Sequence, residues 1–321
     1  MLPKGLLFVG LLWSACSVLA QDKRADSTLL ANDPLIAEFD SLLSNAEDST
    51  SLFKMLDQLL NGSTERRTSQ MLFRLGYNSN VNSTNRVAGL NQFGLSPGIS
   101  YYHRSGFYLD ASGYWSDEYD PNYYLTVLTA GFLHLPTKWW SFSTEYNRFI
   151  YSQSSADIYT PYTNNVAFSN FFDVKKITFR LDYQFFFGDK SAHRISPGVM
   201  FNLEKRNLGV IDRLAFVPNF SVLFGSEQIV NEYYQPYTTR PLEVLFRIRN
   251  NLPLYYLVTE KNTEFGVLNY ALATPFVLST QNWTFQISYT YNFPKALSGE
   301  IIQITDGGFV SMGITRKLTF R

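Results

Sequence analysis

The chain has 321 residues, 27 basic and 27 acidic side chains, and a hydrophobic share of 45%. A charge so evenly balanced excludes nucleic acid or another polyanion as the defining partner. The 27 Phe, 21 Tyr and 5 Trp are more than an ordinary soluble core absorbs and suit aromatic girdles at two lipid interfaces.

Taken in chain order, the first element is an export signal. Lys4 precedes LLFVGLLWSACSVLA, an apolar run too short to cross a bilayer comfortably, and a polar QDKRADS follows. This predicts a signal peptide over 1–20, cut after Ala20. The lipoprotein alternative, acylation of Cys16, is disfavoured because Trp13 stands where a lipobox carries Leu. Cys16 is the only cysteine, so the expected mature protein has no disulfide and no thiol chemistry.

Residues 21–68 predict a short helical periplasmic segment. Leu35, Ile36, Phe39, Leu42 and Leu43 share one helical face, and Ser51 caps a second run through Leu60 that Gly62 ends.

From residue 69 to 321 the pattern changes to period two. In WTFQISYTYNF (283–293), Trp283, Phe285, Ile287, Tyr289, Tyr291 and Phe293 fall on one side and Thr284, Gln286, Ser288, Thr290 and Asn292 on the other. Twelve such segments are expected, near 70–78, 92–103, 106–116, 123–135, 139–151, 163–172, 176–187, 193–204, 213–224, 265–278, 282–293 and 308–320. Short turns such as HRSG and DVKK alternate with long connections, the pattern of an all-β, antiparallel transmembrane barrel with both termini periplasmic. LEVLFRIR (242–249) and LYYLVTE (254–260) are each too short to span and read as a hairpin above the membrane; if they cross, the barrel has fourteen strands. Pro97 and Pro197, in the matching phrases LSPGI and ISPGV, fall on outward positions and read as bends in the wall.

Alternation sends Arg74, Asp110, Glu145, Arg180, Asp182, Gln184, Glu204, Gln286 and Lys317 to the lumen, with Asn202 and Asn292. These near-balanced charges either line a candidate pore or pair across the barrel and close it.

The signal peptide, the helical prelude, FGVLNYALATPF (265–276), the WTF-started strand and YNFPKALSGE (291–300) together resemble uncharacterised outer-membrane barrels of Bacteroidota. The likeness lies chiefly in the last sixty or so residues and implies a fold and a location but no activity. Phe320 suits a C-terminal assembly signal, which Arg321 leaves imperfect.

Two weaker signals remain. His103-Arg104-Ser105 has the His-x-Ser spacing of outer-membrane lipid hydrolases, yet it falls in a tight turn where Ser-Gly is ordinary chemistry. Asp117, Glu118 and Asp120 could hold calcium but lack the ligand order of a calcium loop, which favours a solvated acidic loop. No metal site or cofactor is expected, because His103, His134 and His193 have no second ligand at metal spacing.

The leading function is a small-solute channel, porin-like, or a structural component of the outer membrane. The alternatives are a lipid-acting hydrolase and a surface barrel binding glycans or other ligands through the Tyr-rich loops DEYDPNYY, IYTPY and NEYYQPY. Expected partners are outer-membrane lipid and lipopolysaccharide, the barrel-assembly machinery and small polar solutes; oligomeric state is not readable.

Overall fold

The computed structural model describes residues 69–79, 94–117, 122–152, 162–299 and 304–320. The expected signal peptide (1–20), helical segment (21–68), Glu118, Asp120, the IYTPY loop as far as Pro161 and Arg321 lie outside the described residues.

Alternating side chains build fifteen strand segments: β1 (Ser69–Asn78), β2 (Gly94–Tyr102), β3 (Phe107–Ser116), β4 (Tyr123–Thr137), β5 (Trp140–Tyr151), β6 (Tyr162–Val174), β7 (Ile177–Gly188), β8 (Ser191–Phe201), β9 (Leu203–Leu208), β10 (Ile211–Phe216), β11 (Asn219–Pro236), β12 (Tyr255–Ala273), β13 (Phe276–Ser279), β14 (Trp283–Pro294) and β15 (Gly307–Phe320). Among the described residues one helix, α1 (Pro241–Arg249), lies between β11 and β12. Because β8 runs on into β9, β10 into β11 and β12 into β13, the fifteen segments form twelve staves. Every pairing is antiparallel, and β1 closes the ring against β15 from Ser69↔Phe320 to Asn78↔Ser311. Closure leaves no edge along the wall, the condition for strands in hydrocarbon.

The two faces sort as the alternation requires. Phe107, Leu109 and Phe179 point out with 50–62% of their surface exposed, whereas Thr178 and Asp182 on the inner face are at 0% and 3%. An apolar band around a whole closed barrel is no surface for water, so this face meets lipid. Aromatic girdles flank it. Near the short turns, Phe132 packs on Phe107 at 4.8 Å and Phe142 packs on Trp140 and Phe168 at 5.8 Å. At the opposite rim, Phe185 lies 4.8 Å from His193 and 5.6 Å from Phe187.

Three expectations need correction. Residues 242–249 are helix α1 rather than a strand, and 255–260 belong to β12, so the barrel has twelve staves and not fourteen. Helix wins because Pro241 starts it, Glu243 and the pair Arg247/Arg249 complement its dipole, and Asn251 leaves in the left-handed region at φ 51°. Next, Pro97 and Pro197 do face outward, but register passes both without a shift (Leu95↔Trp115 to Gly98↔Ser112; Asn219↔Met200 to Phe224↔Ile195). The wall creases elsewhere. Asn202, Pro218 and Pro275 interrupt three adjacent staves in one line, bridged by Phe201 N–H to Pro218 O at 3.0 Å and Val217 N–H to Pro275 O at 3.0 Å. Finally, not every connection of the long set is a loop: Asp189–Lys190 joins β7 to β8 in a two-residue turn, and residues 226–265 hold the ends of β11 and β12 with α1 between them. β11 pairs with β8 only as far as Gly225, so residues 226–236 and 255–265 form a two-stranded arm, roughly 35 Å of ribbon at 3.3 Å per residue.

Candidate functional site: the barrel lumen

Arg74, Gly98 and Ser112 share one register row across β1, β2 and β3. Arg74 Nη2 donates to Asp110 Oδ1 at 2.5 Å and to Ser112 Oγ at 3.0 Å. Ser100 Oγ donates to Asp110 Oδ1 at 2.5 Å, and Ser112 Oγ donates to Asp110 Oδ2 at 2.8 Å. A Cβ at Gly98 would sit 2.8 Å from Ser112 Oγ and 3.0 Å from Arg74 Nη2, so a larger residue there would push both side chains aside. The pair is thus held against its wall rather than reaching across the lumen.

Tyr108 donates its hydroxyl to Glu145, with its ring stacked on Tyr102 at 5.1 Å and laid over Gly131, where any Cβ would run into it. A ladder of neutral groups continues around the wall: Thr129 Oγ1 donates to Asn147 Oδ1 at 2.5 Å, and Asn147 Nδ2 to Asn165 Oδ1 at 3.0 Å.

On β7, two residues apart on the same inner face, Arg180 pairs with Asp182, its guanidinium 5.9 Å from the Phe171 ring centre. Beyond them the floor is small: Ser196, Gly198, Ser221, Ala271 and Ala273 from β8, β11 and β12 leave a cavity of about 70 Å³. Arg180, Asp182, Gln184, Arg194, Asn269 and Thr290 rise around it. Arg194 is 2% exposed, and its Nη1 donates to Ser226 O at 2.6 Å. Asn269 Nδ2 donates to Asn292 Oδ1 at 2.8 Å.

The sequence-derived lumen set therefore divides. Arg74 and Asp110 come together, as do Arg180, Asp182 and Gln184, while Glu145 joins Tyr108. Gln286 lies opposite Val277 and Gly313, away from the cavity lining. Glu204 lies in β9, toward the short turns, where it accepts from Arg206 Nε at 2.9 Å and Arg213 Nε at 2.8 Å. Lys317 is half-buried in β15, opposite Leu72. Asn202 leaves the strand at the crease and donates to Thr178 Oγ1 at 2.9 Å.

Arg194 is missing from the sequence reading although alternation from Gly198 through Ser196 reaches it. Asn269 is missing for a better reason: a bulge at Leu268 (Leu223↔Asn269, then Phe224↔Val267) places both residues in the interior, at 0% and 4% exposure. The reading also misses inner apolar layers. Tyr124, Leu125, Val127, Phe149, Tyr162, Phe186 and Ala192 cluster toward the long connections, and Tyr102, Tyr108, Leu133, Phe171 and Met200 toward the short turns. The polar belt lies between these two apolar clusters.

His103 and Ser105 do meet, Nδ1 to Oγ at 2.7 Å, in an exposed turn where Ser105 N–H donates to the same Nδ1 at 3.3 Å. The turn closes through His103 N–H to Phe107 O at 2.8 Å and Gly106 at φ 99°. His134 stacks on Phe132 and His193 on Phe185, both within the outer girdles. Among the described residues no group of three His, Cys, Asp or Glu could hold a metal ion.

No protein-family model and no curated protein matches this chain. Among solved structures it is similar to the NanC porin (11% identity, 77% of this chain and 100% of that chain, TM-score 0.41) and the KdgM porin (9%, 77% and 98%, TM-score 0.40). It is also similar to the translocator domain of the autotransporter NalP from Neisseria meningitidis (10%, 88% and 98%, TM-score 0.35). Likeness this distant decides nothing about activity, and the barrel rests on the chain's own pairing.

Proposed function

We propose that the protein is an outer-membrane channel for small polar solutes, narrow and porin-like rather than wide. The observation that carries this reading is the polar belt of the inner face, where Arg180, Asp182, Gln184, Arg194, Asn269 and Thr290 surround a cavity of about 70 Å³. Polar and charged side chains on the inner face of a closed barrel suit an aqueous path, whereas a barrel serving only as a sealed post is better filled with apolar side chains. The apolar layers at both ends and the small cavity argue for passage of water, ions and solutes of a few carbons. Single-channel recording on purified, refolded protein tests this: small, stable conductance steps support it, and a silent bilayer with correctly folded protein sinks it.

A second reading, a surface barrel that binds ligands, is favoured by the arm alone. Tyr234 is 73% and Leu242 83% exposed there, with Arg247 laid over Tyr237 at 4.2 Å. We place the short turns and both termini in the periplasm and the arm outside the cell. The sequence phrases at 265–276 and 291–300 are the ground for placing the protein with barrels of Bacteroidota.

A further inference from the structure

The lipid-facing side of the wall carries an arginine toward each rim. Arg316 on β15 lies opposite the outward Phe73 and Trp283, and its guanidinium rests 5.4 Å from the Trp283 ring centre, so the protein itself engages that cation. Arg148 on β5 is held differently. Its chain neighbours Asn147 and Phe149 are buried on the inner face, which turns Arg148 outward between Tyr146 and Ile150, themselves 43% and 47% exposed. It shares a register row with Leu128, Asn164 and Phe187 of the adjoining staves, and Phe187 belongs to the aromatic girdle at the rim of the long connections.

Asn164 fixes the guanidinium. Its Oδ1 accepts from Arg148 Nη1 at 2.9 Å and from the Tyr146 hydroxyl at 2.7 Å, and its Nδ2 donates to Thr163 Oγ1 at 2.9 Å. Both lone pairs of that oxygen are then in use. Among the described residues Asn164 is the one hydrogen-bond partner of Arg148, and no carboxylate pairs with it. The Nε–Nη2 edge is left open, and it is a fork that takes an oxyanion through two parallel N–H groups. Because Leu128, Tyr146 and Ile150 around it meet lipid, the charged head is held at the headgroup layer, where the abundant anion is lipid phosphate.

We propose that Arg148, positioned by Asn164 and Tyr146, is a binding site for the phosphate of an anionic membrane lipid; with the arm outside the cell, that lipid belongs to the outer leaflet. The guanidinium neutralises the headgroup and orients it, and the acyl chains run down the outward apolar face past Val166 and Phe168, 41% and 40% exposed. The site does not depend on whether the lumen conducts.

Native mass spectrometry of the full folded chain, released from a neutral detergent, tests it. Dioleoyl phosphatidic acid is the probe, dioleoylglycerol supplies the same chains without phosphate, and inorganic phosphate supplies the anion without chains. Wild type, Arg148→Gln, Arg148→Lys and Arg316→Gln are compared, each with folding checked by gel mobility before and after heating. The wild type should prefer phosphatidic acid to dioleoylglycerol, and inorganic phosphate at the same concentration should not displace it. Arg148→Gln should weaken binding of the first phosphatidic acid about fivefold, the worth of one cation beside an anionic headgroup. Arg148→Lys, which keeps the charge and loses the fork, should fall between the two, and it carries the comparison if Arg148→Gln fails to fold. Arg316→Gln should bind as the wild type does. Equal affinity for phosphatidic acid and dioleoylglycerol, Arg148 variants that bind like the wild type, or an equal loss in Arg316→Gln overturns the site; displacement by inorganic phosphate overturns the lipid as its ligand.

Discussion

Gly131 shows how little freedom single residues of the inner wall have. The Tyr108 ring lies directly over it, held by the Tyr102 stack and by the hydroxyl bond to Glu145. Gly131→Val forces that ring away and breaks the bond, an overpacking cost of about 1–3 kcal/mol; urea unfolding in micelles should show the loss, and Tyr108→Leu in the same chain should recover most of it. Arg180 makes the complementary case for charge. Arg180→Glu sets two carboxylates side by side where Asp182 is 3% exposed, so folding yield should fall, and in the molecules that fold the lumen gains negative charge. Reversal potentials in a salt gradient should shift toward cation preference, and an unchanged reversal potential would show that ions do not pass this point.

At the scale of the strand, β14 carries the sharpest contrast between neighbours. Ile287 is 39% exposed to lipid, while Gln286 points inward between Val277 and Gly313. Ile287→Arg places a charge in hydrocarbon at about 2–4 kcal/mol, whereas Gln286→Arg keeps it in the polar lumen. Refolding yields should separate the two variants clearly. Thr178 and Ser288, which alternation also assigns to the lumen, would tolerate charge poorly, because they are 0% and 1% exposed and Thr178 is bonded to Asp173 and Asn202. The arm behaves as a different kind of element. Helix α1 has no buried residue, and Arg249 at its end is exposed to trypsin. Cleavage there should leave a nicked barrel that still runs as folded on an unheated gel, since β11 and β12 stay paired below the cut.

The whole molecule makes a vectorial prediction. Single cysteines at Tyr234 or Leu245 on the arm should react with an impermeant thiol reagent on intact cells, and cysteines at Ser105 or Val210 in the short turns should not. Val210 is 87% exposed, so its protection would come only from the side of the membrane it faces. The reverse pattern would invert the barrel.

Much of this architecture is legible in the residues because the side-chain period of a strand is local. Two residues suffice to say that Arg180 and Asp182 share a face and that Leu181 opposes them, and tight-turn chemistry such as Ser105-Gly106 marks where staves reverse, so twelve staves and most lumen positions follow without any knowledge of pairing. Apolar runs are ambiguous: LEVLFRIR is too short for a spanning strand yet reads as one arm of a hairpin, and Pro241, Glu243 and Asn251 decide for a helix only once the chain leaves the wall above Gly225. The crease at Asn202, Pro218 and Pro275 and the cavity over Gly198, Ser221 and Ala271 belong to the tertiary structure alone. Each is made of unremarkable residues on three staves, far apart in sequence, and becomes a feature only because the register of a closed barrel sets them side by side.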